Sequence, residues 1–215
     1  SCFVYKNSSE FETILKRPGS AYLQPRSPYN PLDYTLEVSR AATGALAGWA
    51  TLKFFGYEGF QAILGGILEN QFYLRERLHE KADMVCVNPD NFGLVTLFRV
   101  YPRDVIAHEQ YERELTDPAY KAQLMKYNEL TLKVGDKLYH WFRSGKKING
   151  KFTPYLSFST GFRVTEYNRD GADPDAKVFA LKAFPMNVFI TEDIMQHVVD
   201  CVQAARDEVM AEENA

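Results

Sequence analysis

Apolar positions recur at helical spacing between Tyr34 and Leu78. Leu36, Ala42, Leu46, Trp49 and Leu52 gather on one stripe of a helix, which Gly56 ends. A second stripe runs through Phe60, Ile63, Leu64, Ile67, Leu68, Phe72 and Leu78, with Glu69, Arg75, Glu76 and Arg77 off it. The expectation is two packed helices meeting at the corner Gly56-Tyr57-Glu58-Gly59, a helical hinge inside a larger protein.

Around this pair the pattern changes period. Cys2 to Tyr5 is a short β-favouring run closed by the turn-rich Lys6-Asn7-Ser8-Ser9. Residues 17–33 form a loop with four prolines and the aromatics Tyr22 and Tyr29, which suit a functional lid. Met84 to Val87 and Leu94 to Tyr101 read as two strands joined by the turn Asn88-Pro89-Asp90-Asn91. Pro102 to Phe142 is helical, with Tyr111, Leu115, Leu124, Tyr127, Leu130, Leu138 and Phe142 available for an inner face. Asn149-Gly150 predicts a tight turn ahead of the run Tyr155 to Thr165, and Val178 to Phe184 is a further strand. Thr191 is placed to cap a last helix, with Glu192 and Asp193 in its first turn and Ile194, Val198, Cys201, Val202, Ala205 and Val209 on one face. The second half is thus expected to be an α+β unit, an antiparallel sheet backed by helices.

The 215 residues, 46% hydrophobic and 14% aromatic, suffice for a sizeable core. A net charge of -3 offers no broad positive field, so nucleic acid is not an expected partner. Lys53, Glu58 and Gln61 break the most apolar stretch well short of the roughly 18 residues of a membrane span. Cys2, Cys86 and Cys201 are widely spaced, without a C-x-x-C pair, which favours a reducing, cytoplasmic compartment. Each sits in an apolar run without a nearby histidine, as core-filling thiols would. His108-Glu109-x-x-Glu112 lacks a second histidine at ligand spacing, so no metal site is expected. The apolar opening at Ser1, without an initiator Met, reads as the start of a piece whose first strand needs preceding chain to cover it.

Tyr34-Thr35-Leu36-Glu37-Val38-Ser39-Arg40-Ala41, then the Ala/Gly-rich helix with Trp49, Leu52-Lys53, Gly56 and Gly59-Phe60, resembles the pyridoxal-phosphate-dependent amino-acid decarboxylases. The likeness extends to Ala180-Leu181-Lys182-Ala183-Phe184-Pro185-Met186-Asn187 and Thr191-Glu192-Asp193 before the last helix, and rests on the order of these stretches. It implies an α/β enzyme of the aspartate-aminotransferase-like fold (fold type I), of which this chain is the carboxyl-terminal part. Residues 1–82 would end the large cofactor-binding domain and residues 83–215 would form the small α+β domain. The implied activity is decarboxylation of an L-amino acid to the amine and carbon dioxide by a homodimer carrying pyridoxal 5'-phosphate. Another lyase or aminotransferase of the same fold, or a non-catalytic interaction domain, is the alternative.

His79, His108, His140 and His197 are followed by Glu, Glu, Trp and Val, so the His-Lys pair of such enzymes is not here. The Schiff-base lysine would belong to the remaining N-terminal part of the enzyme. The Tyr/Pro loop is similar to the family's mobile loop, which makes Tyr29 the catalytic candidate, a proton donor to the substrate carbon; a ring packed on Pro28 or Pro31 is the plainer reading. Ser39 and Arg40, at a helix start, are the candidates for the cofactor phosphate, against a simple N-cap and surface ion pair. Val38 stands where relatives carry a glycine. Lys182 occupies the strand position of a substrate-carboxylate arginine, with Arg163 as its competitor; a structural ion pair is the alternative for each.

Overall fold

The computed structural model describes residues 43–91 and 93–213. Tyr29, Ser39, Arg40, the Cys2–Tyr5 run and the 17–33 loop lie outside the described residues. The chain forms two compact units, residues 1–57 and 58–215.

Helix α1 (Thr43–His79) is broken at Gly56, whose φ of 60° and ψ of -167° are essentially open to glycine alone. The predicted stop is therefore a true interruption, although helical geometry resumes at once. In the first unit, Leu46, Trp49 and Leu52 of the predicted stripe are exposed.

In the second unit the buried face of α1 is Ile67, Gln71, Leu74 and Leu78. Leu64 and Phe72, expected on the inner stripe, are each 45% exposed. The face has turned toward Gln71 because that side chain is engaged at both ends: Nε2 donates to the Leu94 carbonyl at 2.7 Å, and Oε1 accepts from the Thr96 hydroxyl. One turn on, Arg75 donates to the carbonyls of Pro89, Asn91 and Val95. Polar contacts, more than the apolar stripe, fix where this helix meets the sheet.

The predicted hairpin is β1 (Met84–Cys86) and β2 (Thr96–Val100), antiparallel with Val85 opposite Arg99. The Asn88 side chain holds its loop, accepting from the Leu97 N–H at 2.8 Å and donating to the Val95 carbonyl at 3.0 Å. The long helical stretch divides into α2 (Ala107–Thr116) and α3 (Lys121–Ser144), joined by a short 3-10 turn over Pro118–Tyr120. Pro118 lacks the N–H that would continue α2, and the Asp117 carboxylate caps the turn by accepting from the Ala119 N–H. Asn149 and Gly150, both at positive φ, close the small hairpin of β3 (Lys147–Ile148) and β4 (Lys151–Phe152), the backbone an Asn-Gly pair supplies.

Strands β5 (Ser157–Val164) and β6 (Lys177–Ala183) complete a four-stranded sheet in the order β1-β2-β6-β5, antiparallel throughout. The closing helix α4 (Glu192–Glu213) buries Met195, Val198, Val199, Cys201, Val202, Ala205 and Val209, while Ile194 is left 37% exposed. Thr191 takes its predicted place, but its hydroxyl donates to the Asp193 carboxylate instead of accepting from a helix N–H. The core joins Phe98 and Val100 of β2, Leu181 of β6, Leu124 and Leu138 of α3, and Val199 and Val202 of α4. Each such side chain contributes about 1.5–3 kcal/mol if it is an aliphatic or phenyl group fully removed from water.

Candidate functional site

Two polar features stand out in the second unit. The first is inside it. Arg99 of β2 and Glu114 of α2 are both fully buried and 3.0 Å apart. The Glu114 carboxylate also accepts from the Tyr101 hydroxyl at 3.2 Å and from Gln110 Nε2 at 2.9 Å. Burial pushes the Glu114 carboxyl up, and the Arg99 guanidinium pulls it back. The Tyr101 phenol is likewise driven up by burial.

Arg99 Nη1 donates to Asn128 Oδ1 at 2.8 Å. Asn128 in turn behaves as a short length of strand, with Nδ2 donating to the Lys177 carbonyl at 2.7 Å and Oδ1 accepting from the Phe179 N–H at 3.0 Å. It meets β6 beyond Phe98–Leu181, the last pair of the β2–β6 ladder. Arg99, Glu114 and Asn128 are out of reach of solvent, so this network joins β2, β6, α2 and α3 and has no surface on which to act on a ligand.

The second feature is open. A groove of about 1110 Å³ runs along β1, the turn after it and α2. Its apolar wall includes Val85, Val87 and Leu115, and Lys81, His108, Tyr111, Glu112 and Arg163 bring polar groups to it. Arg163 arrives there through an irregularity in β5: pairing steps from Thr160–Phe179 directly to Arg163–Val178, leaving Gly161 and Phe162 outside the ladder. Such bulges bend a strand and re-aim its side chains. Among the described residues Arg163 has one ion-pair contact, a 3.9 Å approach to Glu166. Tyr111 is 7% exposed, and its hydroxyl is buried without a hydrogen-bond partner among the described residues. Burial pushes that phenol up, with the positive charges of Arg163 and Arg99 opposing.

Of the sequence-predicted site residues, Lys182 and Arg163 fall in the described part, and the structure keeps them apart. Lys182 lies on β6 opposite Leu97 and Ser157, and Arg163 pairs with Val178, four residues along β6. At about 3.3 Å per residue the separation is about 13 Å. Lys182 Nζ lies 5.8 Å from the centre of the Phe184 ring and makes no ion pair among the described residues.

The sequence pattern missed Arg99, Glu114, Asn128 and Tyr111. Arg99 carried a signal, a lone charge inside an apolar strand; Glu114 and Asn128 looked like ordinary polar helix positions. Among the described residues no cluster of three His, Cys, Asp or Glu side chains could hold a metal ion. The expectation that no cysteine has a nearby histidine is corrected: His197, four residues before Cys201 on the same helix face, brings Nε2 to 3.4 Å from Sγ. That nitrogen also lies 3.1 Å from the Phe152 carbonyl. Burial pushes the Cys201 thiol up to about 11, so it stays protonated and unreactive.

Pyridoxal phosphate requires a lysine for its aldehyde, donors for its phosphate and a carboxylate facing its ring nitrogen. Lys121, Lys133, Lys137, Lys146 and Lys151 are each paired with a carboxylate, and Lys182 stands beside an aromatic ring. Among the described residues no helix is long and apolar enough to cross a membrane. No model of a known protein family matches the chain, and no curated protein matches it.

Proposed function

We propose that the chain is the carboxyl-terminal part of a fold type I, pyridoxal-phosphate-dependent amino-acid decarboxylase, working in the cytoplasm as a homodimer. One observation carries the reading most: a helix broken at Gly56 is followed by an α+β unit on a four-stranded antiparallel sheet, the architecture expected of that enzyme's small domain. The order of sequence stretches from Tyr34 to Asp193 supports the same assignment. As the family resemblance implies, the reading gives the phosphate to Ser39 and Arg40 and the bonding lysine to chain before Ser1. Tyr29 returns a proton to the substrate carbon. Lys182, distant from Arg163 and without an ion pair of its own among the described residues, takes the substrate carboxylate.

The test is carbon dioxide release by the protein with its preceding chain, supplied with pyridoxal phosphate, across the twenty L-amino acids. The reading expects release from one or a few of them and loss of release in Tyr29→Phe. Lys182→Gln should raise KM about tenfold with kcat little changed, as loss of uniform binding does. Release from none would overturn it. Turnover with the carboxylate retained in the product would favour another lyase or an aminotransferase.

A further inference from the structure

We propose that the groove between β1 and α2 binds a small carboxylate with an apolar tail, its head held by Arg163 and the Tyr111 hydroxyl and its tail by Val85, Val87 and Leu115. The site is independent of the decarboxylase reading and lies at the opposite end of β6 from Lys182.

Three observations converge on it. The Tyr111 hydroxyl is a buried donor with no partner among the described residues, an arrangement that proteins seldom keep unless something else completes it. Arg163 lines the same groove as Tyr111, near enough for its positive charge to act on that phenol. Its 3.9 Å contact with Glu166 is a loose one between two side chains that are each about 40% exposed, so the guanidinium can turn at little cost. Four arginines of the unit are by contrast committed: Arg75 to loop carbonyls, Arg103 to Asp207, Arg99 to Glu114 and Arg206 to Asp83.

A carboxylate that draws the Arg163 guanidinium off Glu166 gains its N–H donors and, with that side chain turned aside, access to the buried phenol O–H, a pairing that charge-assisted bonds favour. The bulge at Gly161 and Phe162 is what delivers Arg163 to this place. The wall beyond is apolar, and the volume of about 1110 Å³ exceeds what a short acyl chain requires. Lys81 and His108 add donors at the rim, whereas Glu112 lines the same groove and opposes an anion. That opposition gives the proposal a distinctive signature.

The experiment is calorimetric titration of the protein, in the same form as is used to test the decarboxylase reading, with sodium octanoate, with octylamine as the control that shares the tail and reverses the head. The proposal expects saturable one-to-one binding of octanoate and none of comparable strength for octylamine. Arg163→Gln should weaken binding about tenfold and Tyr111→Phe several-fold, while Glu112→Gln should tighten it about threefold. Octanoate should raise the unfolding temperature of the wild type more than that of Arg163→Gln, which as a surface substitution leaves folding intact. Absence of saturable octanoate binding, equal binding of octylamine, or unaltered binding by Arg163→Gln would overturn the proposal.

Discussion

Replacing Glu114 by glutamine removes the negative half of an ion pair whose partners are both fully buried and 3.0 Å apart. Arg99 is then left charged in the interior, and a guanidinium cannot discharge itself by losing a proton. Breaking a buried pair from one side costs about 3–5 kcal/mol, a large share of the ~5–15 kcal/mol that holds a domain of this size folded. At roughly 2–4 °C per kcal/mol, the unfolding midpoint should fall by about 10 °C. Arg99→Met should behave differently, because its stranded partner has an escape. The Glu114 carboxyl, already pushed up by burial, can take a proton. A group whose folded value is raised gives stability that is complete below its unfolded value, about 4.3, and lost as pH rises through the folded value. The Arg99→Met deficit should therefore be largest at pH 7 and shrink as pH falls toward about 4.5, whereas the Glu114→Gln deficit should not. The double variant Arg99→Met with Glu114→Leu should regain most of the loss. Denaturant unfolding of the three variants, followed by far-ultraviolet circular dichroism at both pH values, reads all of this. A Glu114→Gln loss under about 1 kcal/mol, or an Arg99→Met loss independent of pH, would refute the reasoning.

Asn128→Ala should cost about 2–4 kcal/mol by chemical denaturation, since it strands a carbonyl and an N–H of β6 together with one donor of Arg99. On the acid side, Asp207 is held low by Arg103, Glu208 by Lys146, Asp173 by Lys121 and Asp193 by Lys151. Their contributions are complete above the ordinary carboxylate range and vanish as pH falls through the lowered values, so a thermal midpoint followed against pH should begin to drop below about pH 4. These pairs are largely exposed, and 1 M salt should shrink the drop. Cys201 should resist a thiol reagent at pH 8 until denaturant is added, as followed by peptide mass.

How far the chain could be read in advance follows from which forces its residues advertise. Elements driven by apolar alternation or by turn chemistry were legible: the β1–β2 hairpin, the Asn149-Gly150 turn, the break at Gly56 and the buried face of α4. Where polar groups decide the packing, pattern misleads. Gln71 and Arg75 draw α1 onto the strand-joining loop and leave Leu64 and Phe72 half outside, which apolar spacing could not reveal. Glu114 reads as a solvated helix residue until Arg99 is found opposite it, a pairing across fifteen positions that only the fold creates. Pro118 was visible in the sequence, but the surrounding charged periodicity masked the division of α2 from α3. For the site, Arg163 was singled out as a charge on a strand-like run. The bulge that re-aims it and the buried Tyr111 hydroxyl in the same groove came from register and burial.

The most direct test of the central claim is borohydride reduction of the protein bearing its preceding chain, loaded with pyridoxal phosphate, followed by peptide mapping. The account predicts a single phosphopyridoxyl-lysine in the chain before Ser1 and no label on any lysine from Lys6 to Lys182. No label at all, or a stoichiometric label on Lys182, would contradict it.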